Sequence, residues 1–371
     1  MSAFDRRLYS HFNWTLLALA LIIFAFGIIN LYSASSLRLE QGVTTVVYYK
    51  KQILWGVFGI IAMSICIVFD YRHLKNLTIP LYVITIILLI WVYFFGIEIG
   101  GSRRWIDFGI IHFQPTELAK ITILFIIAHY LSRIQTDLDF RDLCKALVLV
   151  ILPCSLIILQ PDLGSGLNIL LIVAGIIIYN GLNKRVFWSL MLSIPVVAPC
   201  IWFLMQDYQK TRILTFLNPH KAPLDAGYNQ IQSQIAIGSG ELWGKGYLSG
   251  TQSQLKFLPA KHTDFVFAVL GEEWGFIGCI ILLALYCLFL YQIVLIVRDS
   301  KDVFGSVLAA GIFFYFFWQI LINMSMVLGL MPIVGLPLPF FSYGGTFALL
   351  NFSLVGILLN ISMRRYVFKQ A

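Results

Sequence analysis

The sequence predicts an all-α integral membrane protein of about ten transmembrane helices, with one large extracytoplasmic loop between the seventh and eighth. Three observations carry this. The 371-residue chain is 59% hydrophobic and 12% charged, with a mean hydropathy of +0.85, far outside the soluble globular range. Its apolar residues come in blocks of about 20, the length that crosses the hydrocarbon core as a helix. Its Lys and Arg lie between those blocks, unevenly on the two sides.

In order, the blocks cover 14–34, 53–69, 77–96, 116–131, 144–160, 164–182, 186–204, 266–297, 304–328 and 343–363. The first is long enough to span and lacks the small-residue cleavage site of a signal peptide. Pro161-Asp162-Leu163 forms a tight hairpin between the fifth and sixth. The eighth is long enough to tilt or to project past the bilayer. With the N-terminus inside, the cytoplasmic segments hold 14 Lys and Arg and the short outer segments hold 5. That bias puts both termini in the cytoplasm. The whole chain, 1–371, reads as a single transmembrane domain with segment 205–265 as its outer loop. Within that loop Tyr228, Ile231 and Ile235 recur at helical spacing among amides. The pattern suits a short helix lying in the membrane interface, or one packed on the loop's own core.

The net charge of +8 is scattered between apolar segments. No basic run with interleaved aromatics points to nucleic acid, so none is expected as a partner. The charge serves orientation and contact with anionic membrane lipids. Cys66, Cys144, Cys154, Cys200, Cys279 and Cys287 form no CxxC pair. They read as small buried hydrophobes, neither disulfide framework nor zinc site. No internal repeat is evident, which weakens an inverted-repeat transporter.

Acidic residues near the span ends tell more. Glu98, Asp107, Glu117, Asp162, Asp264, Glu272 and Glu273 all map to the outer half. Ionisable groups at membrane depth cost several kcal/mol and face a cavity or a partner. A polar cavity open to the outer face is therefore expected.

Four stretches supply its candidate residues. In "LPAKHTDFVFAVLGEEWGF", Lys261 and His262 precede Asp264, which is either a helix N-cap or a base at the water–lipid boundary. Glu272 and Glu273 lie about 12 Å deeper on a helix and read as hydrogen-bonded to a neighbouring helix. In "GGSRRWIDFGIIHFQPTELAK", Arg103 and Arg104 are interfacial anchors or anion ligands. Glu117 and Lys120, three apart, share a helix face as an ion pair or hold a pyrophosphate through the Lys. In "QPDLGSGL", Asp162 caps a helix and the glycines allow close approach. In "MPIVGLPLPFFSYGGTF", three prolines forbid a continuous helix, so the backbone is buried in protein or lines water. Ser342, Gly344 and Gly345 there either expose N–H groups to an anion or pack tightly.

Together, "QPTELAK", "QPDLGSG", the run from Gly227 through Gly275 and "LPFFSYGGT" resemble segments of the SEDS family (shape, elongation, division and sporulation), in the family's order. The resemblance covers essentially all ten spans. Phe347 departs from the small residue usual in its position. "GTQSQLKFLP" and the short tails are more similar to the elongation branch, RodA, than to the division branch, FtsW. The resemblance implies a bacterial inner-membrane peptidoglycan glycosyltransferase with its active site on the outer face. It would move glycan from undecaprenyl-pyrophosphate-linked lipid II to the C4 hydroxyl of an acceptor, forming β-1,4 links. Asp264 falls on the family's presumed catalytic Asp, Glu117 and Lys120 on its fourth-span pair, and His112 stands where the match is to a basic residue. Also implied are a divalent cation (Mg or Mn) and partners: the growing glycan strand, a class B penicillin-binding protein transpeptidase and other elongation-complex proteins. Ten spans and a polar cavity alone fit a lipid II flippase or a division-type polymerase as well.

Overall fold

The computed structural model describes residues 11–35, 48–99, 102–107, 109, 112–134, 136–219, 227–254, 257–258 and 260–365. Helices α1 (Trp14–Ser35), α2 (Tyr48–Val68) and α3 (Leu74–Phe95) come first. A small antiparallel sheet of β1 (Ile97–Ile99), β2 (Ser102–Asp107) and β3 (His112–Phe113) follows. Helices α4 (Pro115–Leu131), α5 (Phe140–Leu159), α6 (Leu163–Asn180) and α7 (Lys184–Leu204) come next. The long loop then carries α8 (Asp207–Leu217), α9 (Tyr228–Ser239) and the single turn α10 (Thr251–Gln254). Helices α11 (Val266–Asp299), α12 (Val303–Val327) and α13 (Gly345–Arg364) close the described chain.

Eight of these helices are long and apolar enough to cross a membrane, so the chain is an integral membrane protein. The other two expected spans coincide with α4, only 17 residues and bearing Glu117 and Lys120, and with α7, which carries Pro195 and Pro199. Helices α4, α12 and α13 are the most enclosed, whereas α2 and α3 turn Ile, Leu, Val and Phe outward as lipid-facing helices do. The cysteines differ from expectation: Cys154 is buried, but Cys144, Cys200 and Cys287 are exposed among outward-facing apolar side chains. An apolar thiol is as well placed against lipid as inside protein.

Helix α9 turns Gln230, Ser233 and Ala236 inward and leaves Ile235 exposed. The Ser233 hydroxyl donates to Val327 O and Gln234 Nε2 to Leu328 O, so the polar stripe binds the end of α12 and the isoleucine faces outward. The helix thus packs on α12 through its polar residues and not on a core of the loop's own.

The long eighth span is a broken helix. At Gly275 the backbone turns to φ 64°, ψ −160°, a region essentially restricted to glycine. The strand of loop from Gly240 to Gly246 fills the break. Lys245 N donates to Glu272 O at 3.0 Å and Gly246 N to Glu273 O at 3.1 Å, taking carbonyls at the end of the first half. Phe276 N donates to Glu241 O at 2.9 Å and Ile277 N to Leu242 O at 3.2 Å, satisfying N–H groups at the start of the second. Helix ends otherwise leave such groups unpaired. Segment 266–274 is thus a separate short helix, with Asp264 just ahead of it.

Candidate active site

Asp264 sits where the long loop meets the first turn of α11. Phe265, not Asp264, is the N-cap, and no side chain caps the helix. The carboxylate is therefore not spent on the backbone. The backbone around it is held instead by amides from other helices. Asn323 Nδ2 donates to Asp264 O at 2.9 Å and to Leu336 O at 2.6 Å, and Asn30 Nδ2 donates to Val266 O at 3.0 Å. Ser342 Oγ donates to Thr263 O at 2.6 Å while accepting from Leu338 N at 2.8 Å. These bonds lock the HTDF segment to the proline-rich segment between α12 and α13.

The side chain of Asp264 is half-buried. Desolvation pushes its carboxyl up to about 6 from the ordinary aspartate value. The Thr263 hydroxyl and the Arg104 and Arg212 guanidinium groups pull it back, and Asp162 adds to the rise. Asp162 caps α6 by accepting from Ser165 N at 3.1 Å, as expected, and stands 3.5 Å from Arg104. Arg104 also donates to Pro161 O at 2.7 Å, tying β2 to the α5–α6 hairpin. Arg103, its neighbour, points the other way on the strand: its side chain is 62% exposed and only 3.9 Å from the equally exposed Glu98. His112 is placed by its backbone in β3, opposite Asp107.

Glu117 and Lys120 lie in the first turns of α4, inside the bundle. Their 2.6 Å ion pair is sealed, with Glu117 4% and Lys120 1% exposed. Tyr315, on α12, is near enough to feel the Glu117 charge and donates to Asn351 Oδ1 at 2.9 Å.

Three of the candidate residues are committed to the protein itself. The N–H of Ser342 goes to Leu338 O, that of Tyr343 to His262 O and that of Gly344 to Gln52 Oε1. Gly345 lies against Trp55, where a Cβ would come within 2.2 Å of the indole. The N–H groups of Ser342 and Gly344 are therefore not free for an anion, because Leu338 O and Gln52 have taken them, and Gly345 is there for its close approach to Trp55. His262 stacks on Tyr48 with ring centroids 4.3 Å apart. Burial, with Lys261 beside it, holds its pKa below the usual histidine value, so it is neutral at pH 7. Lys261 Nζ donates to Ser253 O.

Glu272 and Glu273 are anchors. The Glu272 carboxylate accepts from Lys245 Nζ at 3.0 Å, Thr251 Oγ1 at 3.1 Å, Gln252 N at 2.8 Å and Ser253 N at 3.1 Å. Glu273 accepts from the Ser33 hydroxyl of α1. An apolar cavity of about 530 Å³ lies elsewhere, lined by Phe267, Cys279, Tyr286 and Met324 among others, and does not include Asp264.

Sequence reasoning missed Arg212, Asn30, Gln52 and Tyr48 as parts of this mouth. The available signal was single amides in otherwise apolar spans, which need a partner when buried. Among the described residues no group of three or more His, Cys, Asp or Glu is arranged to hold a metal ion.

The chain is similar over its length to proteins of known name. It is 37% identical to the peptidoglycan glycosyltransferase MrdB of Escherichia coli K12, covering 97% of this chain and 96% of that one. It is 33% identical to the peptidoglycan glycosyltransferase RodA of Treponema pallidum, covering 96% and 98%. Among solved structures, a chain of a peptidoglycan synthase complex that coordinates polymerization and crosslinking superposes with a TM-score of 0.82 at 30% identity, covering 96% of this chain and 98% of that chain. The rod shape determining protein RodA of Thermus thermophilus gives 0.72 at 29%, with the same coverage. A family profile matches residues 13–367. On that match and these identities, the chain belongs to the FtsW/RodA/SpoVE family of cell cycle proteins.

Proposed function

We propose that the chain is an elongation-type peptidoglycan glycosyltransferase of the bacterial inner membrane. It joins lipid II units into β-1,4-linked glycan at its outer face. Both termini lie in the cytoplasm, ten spans form a single transmembrane domain, and loop 205–265 lies outside. The names of the similar proteins support the activity. The observation that carries the site is Asp264: a half-buried carboxylate, not used as a cap, held rigidly by its backbone beside two guanidinium groups.

Asp264 is the base. It takes the proton of the acceptor C4 hydroxyl as that oxygen attacks C1 of the donor sugar. The C1–oxygen bond to the diphosphate breaks on the opposite face, which inverts the carbon. Arg104 supplies positive charge for the diphosphate at the mouth, and Arg103 first meets it at the rim. Lys120, oriented by Glu117, supplies positive charge from beneath. Lys261 and His262, just ahead of Asp264, are the further residues expected to meet substrate.

A divalent cation fits this reading. Mg binds through one or two carboxylates plus substrate phosphates. Asp162, whose Oδ2 has no hydrogen-bond partner, would hold it. When bound, it neutralises charge on the leaving diphosphate. The partner is a class B penicillin-binding protein transpeptidase that crosslinks the strand, as the synthase-complex neighbour suggests.

Purified chain given lipid II and no energy source should form glycan polymer. Leaflet exchange of lipid II without chain growth would replace this reading with a flippase.

A further inference from the structure

Three consecutive residues between α12 and α13 join three parts of the mouth. Ile333 O accepts from Arg212 Nη1 at 3.2 Å. A Cβ on Gly164 would meet Val334 O at 2.3 Å, so the start of α6, with Asp162 and its partner Arg104, packs there. A Cβ on Gly335 would stand 3.4 Å from Asp264 Oδ2, and Gly335 itself is exposed. Helix α8, the α6 start and the base thus converge on one short, accessible stretch.

The two guanidinium groups beside Asp264 are not equivalent. Arg104 lies against the buried carboxylate of Asp162, which answers much of its charge. Arg212 donates to a single backbone carbonyl, and no carboxylate pairs with it among the described residues. A guanidinium has five N–H donors in a planar fork that matches phosphate. One bond to Ile333 O leaves most of that fork uncommitted.

We propose that Arg212 binds the diphosphate of the lipid-linked donor and stabilises it as it leaves. The assignment rests on the glycosyl-transfer reading above. When the C1–oxygen bond breaks, its electron pair departs with the diphosphate, which gains one negative charge, and the acceptor proton goes to Asp264. That charge exists in the transition state and not in the bound donor. A cation placed on it therefore acts on kcat more than on KM.

The competing role is a brace: Arg212 merely holds Ile333 in place. Arg212→Gln retains an amide donor for the carbonyl and removes the charge. Arg212→Lys retains the charge and loses the fork. The full chain is purified, and lipid II polymerisation and calorimetric binding of inorganic pyrophosphate are measured. Arg212→Gln should lower kcat by about 10²-fold, with Arg212→Lys in between. Pyrophosphate affinity should fall by about tenfold or more in the Gln variant at unchanged melting temperature. Wild-type kcat in Arg212→Gln, or pyrophosphate affinity equal to wild type despite a lower kcat, makes Arg212 a brace and overturns the assignment. Absence of pyrophosphate binding to the wild-type chain overturns it too. A wild-type chain that binds pyrophosphate through Arg212 but makes no polymer supports the anion site and removes the glycosyl-transfer reading instead.

Discussion

Asp264 and the Glu117–Lys120 pair are both ionisable groups near the N-terminal ends of helices, yet they are built in opposite ways. The pair is made by one helix. Three residues of spacing bring the two side chains together, and the surrounding spans seal them. The Asp264 environment is made by many elements. Its main chain is fixed by Asn323, and those of its neighbours by Asn30 and Ser342, while its carboxylate is left half-exposed among arginines from β2 and α8. A charge satisfied by its neighbour on the same helix is fixed in place by that neighbour. A rigid main chain carrying an uncommitted carboxylate is poised for chemistry.

Breaking the pair should have the largest effect. Glu117→Gln or Lys120→Met alone strands a buried charge and should cost about 3–5 kcal/mol of stability. The double Gln–Met variant should recover most of the loss, because no charge is then left alone. Melting temperatures in detergent measure both. Polymerisation by the folded double variant decides whether Lys120 also acts on substrate: full activity would confine the pair to architecture and widen the contrast with Asp264.

Asp264→Asn should do the reverse. Without a cap to lose, the stability change should stay within about 1 kcal/mol, while the polymerisation rate falls about 10²-fold or more. A well-folded Asn variant with near-normal glycan yield would remove Asp264 as the base and erase the distinction.

The pH profile sharpens the same point. The Asp264 carboxyl is raised to about 6 by desolvation. Below that pH it is protonated and cannot accept the acceptor's proton; above it the base is present. Activity should therefore rise as pH passes through about 6 and then level off. A rate unchanged from pH 5 to 7 would mean that proton transfer to Asp264 does not limit turnover.

Arg103 should give the smallest effect. Exposed and loosely paired with Glu98, it should contribute less than about 1 kcal/mol to stability. Arg103→Ala should raise KM by only about two- to threefold with kcat intact, as expected of a rim charge. A loss comparable with that of an Arg104 variant would move Arg103 into the site proper.

The same contrast explains what could be read in advance. The pair was legible because a helix converts sequence spacing into contact. The positions of the eight helices long and apolar enough to span followed from block length. Position alone left Asp264 as either a helix cap or a base, and the choice of base came from the resemblance of its HTDF segment to the family's. Arg212 was not legible. In "DYQKTRIL" it resembles any charged residue of an exposed helix, and its closeness to Asp264 arises only from contacts made across more than a hundred residues. The break at Gly275 hid inside an apolar run. The one clue was length, since 34 helical residues would run about 51 Å, well beyond the hydrocarbon core. The small sheet over 97–113 has strands too short to produce a periodic signal.

The loop laid into the helix break has a consequence for how this protein tolerates change. Connecting loops ordinarily accept insertions and deletions. From Gly240 to Gly246 the main chain instead presents two acceptors, at Glu241 and Leu242, and then two donors, at Lys245 and Gly246, to two facing helix ends. Adding or removing one residue there would put each group one position out of register with its partner. Segment 240–246 should therefore keep a fixed length even where its side chains vary. A one-residue insertion in it should be far more damaging than one in the 205–206 turn between α7 and α8, where among the described residues no such double-sided pairing occurs.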